Sequence, residues 1–247
     1  LRDDLLAKGL KEDIPAARAF WDQVEAVRKE RGHCGKPDAA ASCKVEARYI
    51  YQVFRNTPKE LVFAQILFGF ELAAADPRIV AINFVGGEDD YISMADYAEH
   101  MRMVGSLREF YPGVKVSLHA GELAPGLVPP EGLCCHIRQA VEIAKAERIG
   151  HGVDVMYEDR PYELMKDMAA KGVLVETNLT SNAVILGVEG KSHPFSLYRK
   201  NGVPAALSTV SSRCSSSVRR ALRARRRSSL TVSSSNASIS SISFSGT

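Results

Sequence analysis

The run Ser117-Leu118-His119-Ala120-Gly121-Glu122 sets an imidazole at the end of an apolar stretch, with a carboxyl three residues on. A strand from Val114 to Leu118 that ends at the mouth of a sheet would deliver His119 there. Gly121 would let the chain turn so that Glu122 enters the same cavity. A histidine so placed can bind a metal, and a glutamate beside a metal-bound water is a proton carrier. The same residues would also fit a surface histidine capped by a loop acid. One strand–helix unit downstream, Ile149-Gly150-His151-Gly152-Val153-Asp154 holds a second histidine between glycines. That pattern permits close approach of backbone or ligand to the ring, and an inert histidine in a glycine-rich turn is the plainer alternative.

Two more runs share this character. Asn83-Phe84-Val85-Gly86-Gly87-Glu88-Asp89-Asp90 ends an apolar stretch in two glycines and three acids. Backbone N–H groups at Gly86 could meet the edge of a flat ring, whereas Asp89 and Asp90 are expected to cap a helix starting near Ser93. Glu176-Thr177-Asn178-Leu179-Thr180-Ser181-Asn182 is a polar exit that turn chemistry would explain equally well. Four successive strand ends that are polar or glycine-rich, two carrying histidine, form a pattern less expected by chance than any one of them.

The elements that must position these groups read as an alternation. Candidate strands are Ala47–Phe54, Ile79–Val85, Val114–His119, Arg148–Gly152, Val173–Asn178 and Pro204–Ser208, each short, aliphatic and bounded by Gly, Pro or polar residues. Helical patterns cover Lys59–Ala75, Ser93–Phe110, Cys135–Ala146, Arg160–Lys171 and Pro194–Asn201. Thr57-Pro58-Lys59-Glu60 reads as a cap, a proline at the first helical position and an acid in the first turn. Strand–helix repetition argues for a parallel sheet, and strands that are mainly apolar suit one covered by helices. A closed barrel and an open doubly wound sheet both fit. The G-x-G-x-x-G turn of a dinucleotide-binding sheet is absent from the sequence.

Composition narrows the class. Hydrophobic residues make up 45% and charged residues 25% of 247, ordinary for a globular protein. No apolar run reaches the roughly 18 residues of a membrane span. The five cysteines form no C-x-x-C pair, so reduced cysteines in a cytoplasmic setting are expected, and a cysteine-based zinc site is not. The net charge of +3 arises in residues 210–247, which hold seven Arg and no Lys, Asp or Glu, so residues 1–209 are mildly acidic. That tail, with 15 Ser, is expected to be disordered. It has no aromatic interleaving for base stacking except Phe244, so nucleic-acid binding is not favoured.

These residues resemble the adenosine deaminase family, closest to its bacterial adenosine deaminase-like members. The resemblance rests on His119-Ala120-Gly121-Glu122, Gly150-His151-Gly152, Phe84-Val85-Gly86 and Thr180-Ser181-Asn182, in the family's order and spacing from about residue 1 to Thr209. It implies a (β/α)8 TIM-type barrel, here with about six strand–helix units, spanning 1–209, followed by the 210–247 tail. It implies hydrolytic deamination of adenosine to inosine and ammonia with Zn2+ as cofactor and a purine nucleoside as the small-molecule partner. By resemblance, His119 is a zinc ligand and Glu122 protonates the purine N1. His151 polarises the attacking water, and Gly86 hydrogen-bonds the purine.

Two departures qualify that implication. The family's His-x-His pair, which supplies two zinc ligands, does not occur; His33, His100, His136 and His193 are solitary. The family's Ser-Thr-Asp-Asp strand is matched only to Thr209, after which Val210-Ser211-Ser212 stand in place of the acids. The expectation is a chain that lacks the family's first strand and is out of frame after Thr209. It would then keep one of four zinc ligands, too few to hold the metal, and be inactive as written. A metal-free purine-binding protein, and a deaminase of adenine, AMP or an N6-substituted purine, are the alternatives. The sequence does not set the oligomeric state.

Overall fold

The computed structural model describes residues 1–208, so Thr209 and the Arg/Ser-rich stretch 210–247, with the disorder and frame shift expected there, lie outside the described residues. The chain opens with helices α1 (Arg2–Ala7) and α2 (Ile14–Arg31). Strands and helices then alternate: β1 (Tyr49–Phe54), α3 (Lys59–Ala75), β2 (Ile79–Val85), α4 (Tyr91–Arg108), β3 (Lys115–Ala120), α5 (His136–Glu142), β4 (Arg148–His151), α6 (Pro161–Lys171), β5 (Leu174–Thr177), α7 (Leu179–Leu186), α8 (Phe195–Lys200) and β6 (Ala205–Leu207). All six strands are parallel and lie in chain order, each bonded to the next. A doubly wound sheet reverses its order at a switch point, and a barrel does not. The sequential order therefore decides between the two architectures left open by the sequence, and this is a run of barrel strands.

The strands alternate more than their sequences suggest. One face is apolar: Val53, Ile82, Phe84, Val116, Leu118, Ile149 and Val175 are buried in one cluster with Val62, Ile66 and Phe70 of α3 and Met101 and Val104 of α4. The other face is polar. There Asn83 donates to Gln52 across β1–β2 (2.9 Å) and contacts His119 on β3, and Arg148 on β4 pairs with Glu176 on β5. Side chains two residues apart share a face, so the apolar layer holds the helices while the polar face leads to the strand ends.

Three sequence expectations need correction. Pro58, not Thr57, caps α3, and the Thr57 hydroxyl donates to the Phe54 carbonyl (3.0 Å), closing the turn out of β1 instead. The cysteines are not all reduced: the sulfurs of Cys34 and Cys43 are bonded, with Cα atoms 5.5 Å apart. Finally, helices α1, α2 and α7 had no counterpart in the pattern. For α2 the signal existed, since Ile14, Ala17, Trp21 and Val24 recur at helical spacing and pack on Tyr49, Leu72 and Ile79.

Candidate active site

The C-terminal ends of β3 and β4 bring three of the four expected groups together. His119 is the next-to-last residue of β3; His151 ends β4 opposite Ala120, where the chain leaves the strand at φ 72°, and the two rings come to 5.1 Å between centroids. Glu122 lies one turn beyond β3, with its Oε1 3.2 Å from His151 Nδ1. Gly86 closes β2 in the left-handed region at φ 98°, where a Cβ would strike the Asn56 side chain. Only glycine fits that turn. The Gly86 carbonyl accepts from Arg55 Nε (3.1 Å), which ties the β2 exit to that of β1.

Gly121 has the role expected of it, with φ 75° and no room for a Cβ against Asp154 and Ile137. The turn it makes is clamped by Glu88. This buried carboxylate accepts from the N–H groups of Gly121 (2.9 Å) and Glu122 (2.8 Å) and pairs with His136 Nδ1 (2.7 Å). His136 in turn stacks flat on Tyr97, with centroids 3.6 Å apart. Burial works to raise Glu88, yet the His136 hydrogen bond and the nearby Arg55 charge outweigh it and hold the group down at about 2. Asp90 caps α4 by accepting from Ile92 N (2.9 Å), as expected, whereas Asp89, expected to cap with it, does not. For Glu88, its position straight after Gly86-Gly87 was the available signal.

Burial, reinforced by the Glu88 charge, pushes Glu122 up to about 7, so its carboxyl gains and gives up a proton near neutrality. Burial lowers His119 to about 4, helped by Arg55, and lowers His151 to about 3, helped by His119; both rings are neutral. His119 is oriented through Nδ1 by the Asn83 amide (2.9 Å), which leaves Nε2 as its nitrogen for a ligand. His151 is held by Asn182 and Asn178, both buried, so the polar exit of β5 that turn chemistry would have explained is part of the site.

A structural zinc site gathers four ligand atoms, and a catalytic one at least three from the protein. Among the described residues the one group of three His, Cys, Asp or Glu ligand atoms within reach of one another is Cys134, Cys135 and Glu158. His119 belongs to no such group. The described residues gather too few ligand atoms round His119 to make a zinc centre. Among the same residues, no helix is long and apolar enough to cross a membrane.

Six parallel strands in sequential order, with a carboxyl and two imidazoles gathered at their C-terminal ends, have the arrangement of the barrel enzymes. A sequence model described as adenosine deaminase matches residues 22–218, and the chain belongs to the adenosine deaminase family of hydrolytic enzymes. An adenosine deaminase from Clostridium perfringens is 33% identical over 133 residues, covering 53% of this chain and 35% of that one. One from Vibrio vulnificus is 25% identical over 181 residues, covering 71% of this chain and 47% of that one. The chain thus spans less than half the length of these curated relatives. Two solved structures overlap it as well. Adenine deaminase from Arthrobacter aurescens has TM-score 0.48 at 21% identity, covering 66% of this chain and 44% of that chain. Arabidopsis ADAL complexed with IMP has TM-score 0.49 at 20% identity, covering 66% and 42%.

Proposed function

We propose that these strand ends form the purine-facing part of a site for hydrolytic deamination of adenosine, or of a related 6-aminopurine, to inosine and ammonia. The observation that carries the reading is the contact between Glu122 Oε1 and His151 Nδ1, 3.2 Å apart at adjacent strand ends. In this reading the Glu122 carboxyl gives its proton to the purine N1, which makes C6 electrophilic. Water adds at C6 while His151 orients it, returning one proton to the Glu122 carboxylate and passing the other to the 6-amino group, which leaves as ammonia. Gly86 offers its N–H to the ring edge, and the Glu88 clamp keeps the Gly121–Glu122 turn from moving when the proton leaves.

The 247 residues by themselves are expected to bind purine without stoichiometric zinc and without turnover, because His119 is not joined by further ligand atoms among the described residues. The experiment is one preparation and three readings: zinc per chain after dialysis, ammonia release from adenosine, and calorimetric titration with inosine. Binding of inosine with no zinc and no ammonia supports the reading. Zinc near one per chain would overturn the metal-free state, and no affinity for any purine would overturn the purine site. Preference for adenine, AMP or an N6-substituted purine would move the substrate within the same class.

A further inference from the structure

His151 is the end of a hydrogen-bonded series that begins on the main chain. The N–H of Phe195 donates to His193 Nδ1 (3.1 Å), so that nitrogen carries a lone pair and the His193 proton sits on Nε2. His193 Nε2–H faces Asn182 Oδ1 (3.1 Å), which fixes the amide the right way round. The other end of the amide, Nδ2, then donates to His151 Nδ1 (2.8 Å). His193, Asn182 and His151 are all buried, so water does not compete along the series.

We propose that Asn182 and His193 are positioning residues that fix the tautomer of His151, so that it presents Nε2–H and not a lone pair to the oxygen bound at the strand ends. The Asn178 amide lies against His151 Nε2 at 3.4 Å, so with its ends exchanged its oxygen faces Nε2–H and gives way when an oxygen binds there. The rival arrangement puts the proton on Nδ1, to be accepted by Glu122 Oε1 at 3.2 Å. Asn182 would then turn its NH2 towards His193, whose remaining proton would sit on Nδ1, head-on to the Phe195 N–H. A main-chain N–H cannot be turned round, so the series runs in one direction only.

The consequence for function is a ring that donates to an oxygen and cannot take a proton through Nε2 while Asn182 holds Nδ1. The tautomer stands on the hydrogen bonds alone; its use on the water that attacks a purine rests on the reading proposed above.

The test is two-bond 15N–1H correlation of the full chain with 15N-labelled histidine, without ligand, near pH 7. Substitution of the other histidines one at a time assigns His151. The expected signature is a pyridine-type Nδ1 and a pyrrole-type Nε2. Asn182→Asp replaces the donor with a second acceptor and should convert Nδ1 to pyrrole type. His193→Phe should give a mixture of tautomers, and His193→Gln, which restores a donor towards Asn182, should recover the wild-type signature. A wild-type His151 with its proton on Nδ1 overturns the proposal, and so does a folded Asn182→Asp or His193→Phe with an unchanged signature. If Asn182→Asp does not fold, the wild-type spectrum and the His193 pair still decide. Inosine added to the same samples separates the two readings: an intact Nε2–H signature with no purine binding sinks the purine site and leaves the series standing.

Discussion

The two rims of the sheet treat buried polar groups in opposite ways. At the rim where strands begin, charges are paired. Asp76 accepts from Arg78 through both its backbone and its guanidinium, and Arg78 reaches on to Asp22 of α2 (2.8 Å). Tyr49 donates to Glu25 (2.6 Å) under the stacked ring of Trp21. The Arg78 hydrogen bond holds Asp76 below the usual carboxylate range. At the rim where strands end, acids are buried and pushed up by desolvation: Glu122 and Glu158 to about 7, and Asp154 well above its ordinary value. Both oxygens of Asp154, Oε2 of Glu158 and Nη1 of Arg55 are buried without partners among the described residues. The first rim is built for stability. The second keeps polar groups in states that water would not allow, which is the environment a reacting site needs.

The contrast is sharpened most by Glu88, the one acid of the strand-end rim that is fully paired. Glu88→Ala strands two main-chain N–H groups and His136 in a buried place, so the expected loss is about 3–5 kcal/mol, read as a fall in the urea midpoint at unchanged slope. Glu88→Gln keeps an acceptor for part of that set and should lose less. A loss below about 1 kcal/mol for Glu88→Ala would mean that the turn holds itself, and Glu88 would no longer stand apart from its neighbours.

Glu158 tests the opposite behaviour on the same rim. Its Oε1 accepts from the N–H groups of Ile137 (2.7 Å) and Arg138 (3.2 Å), while desolvation raises the group to about 7. A raised acid stabilises the fold fully below its unfolded value and loses that contribution as pH rises through the folded value. Glu158→Gln removes the titration and keeps the acceptor. The variant is expected to match the wild type near pH 4.5 and to exceed it by about 2 kcal/mol above pH 7, in paired thermal melts. An advantage that does not change with pH would show that Glu158 is not buried as a neutral acid.

How far these differences were legible in the sequence depends on the range of the interaction. The strand ends, His119, Glu122, His151 and Gly86 were readable because strand period and glycine position are local, and five of the six strand intervals contain the observed strands outright. Lys115–Ala120 runs one residue past its expected end. The sequential strand order was not readable, since sheets of either kind alternate strand and helix. Nor were the partners. Glu88 reaches His136 across 48 positions and His193 reaches His151 through an amide on another element, so His136 and His193 looked solitary and Glu88 was only one of three acids in a row. The helix of Leu179–Leu186 was hidden by Thr, Ser and Asn, residues that favour turns until packing supplies their bonds.

The smallest expected effect lies at the other rim and is the one that most directly checks why the rims differ. Asp22 is largely exposed, and its partner Arg78 keeps its hydrogen bonds to Asp76 when Asp22 is removed. Asp22→Ala therefore strands no buried donor, and a mostly exposed ion pair contributes only about 0.2–1 kcal/mol, less in high salt. Chemical denaturation in urea at low and high sodium chloride reads both features. A loss above about 2 kcal/mol, or one insensitive to salt, would mean that α2 is held through Arg78 as tightly as the Gly121 turn is held through Glu88. The distinction between a rim of replaceable surface pairs and a rim of irreplaceable buried ones would then fail, because both would depend on a single charged group with no substitute.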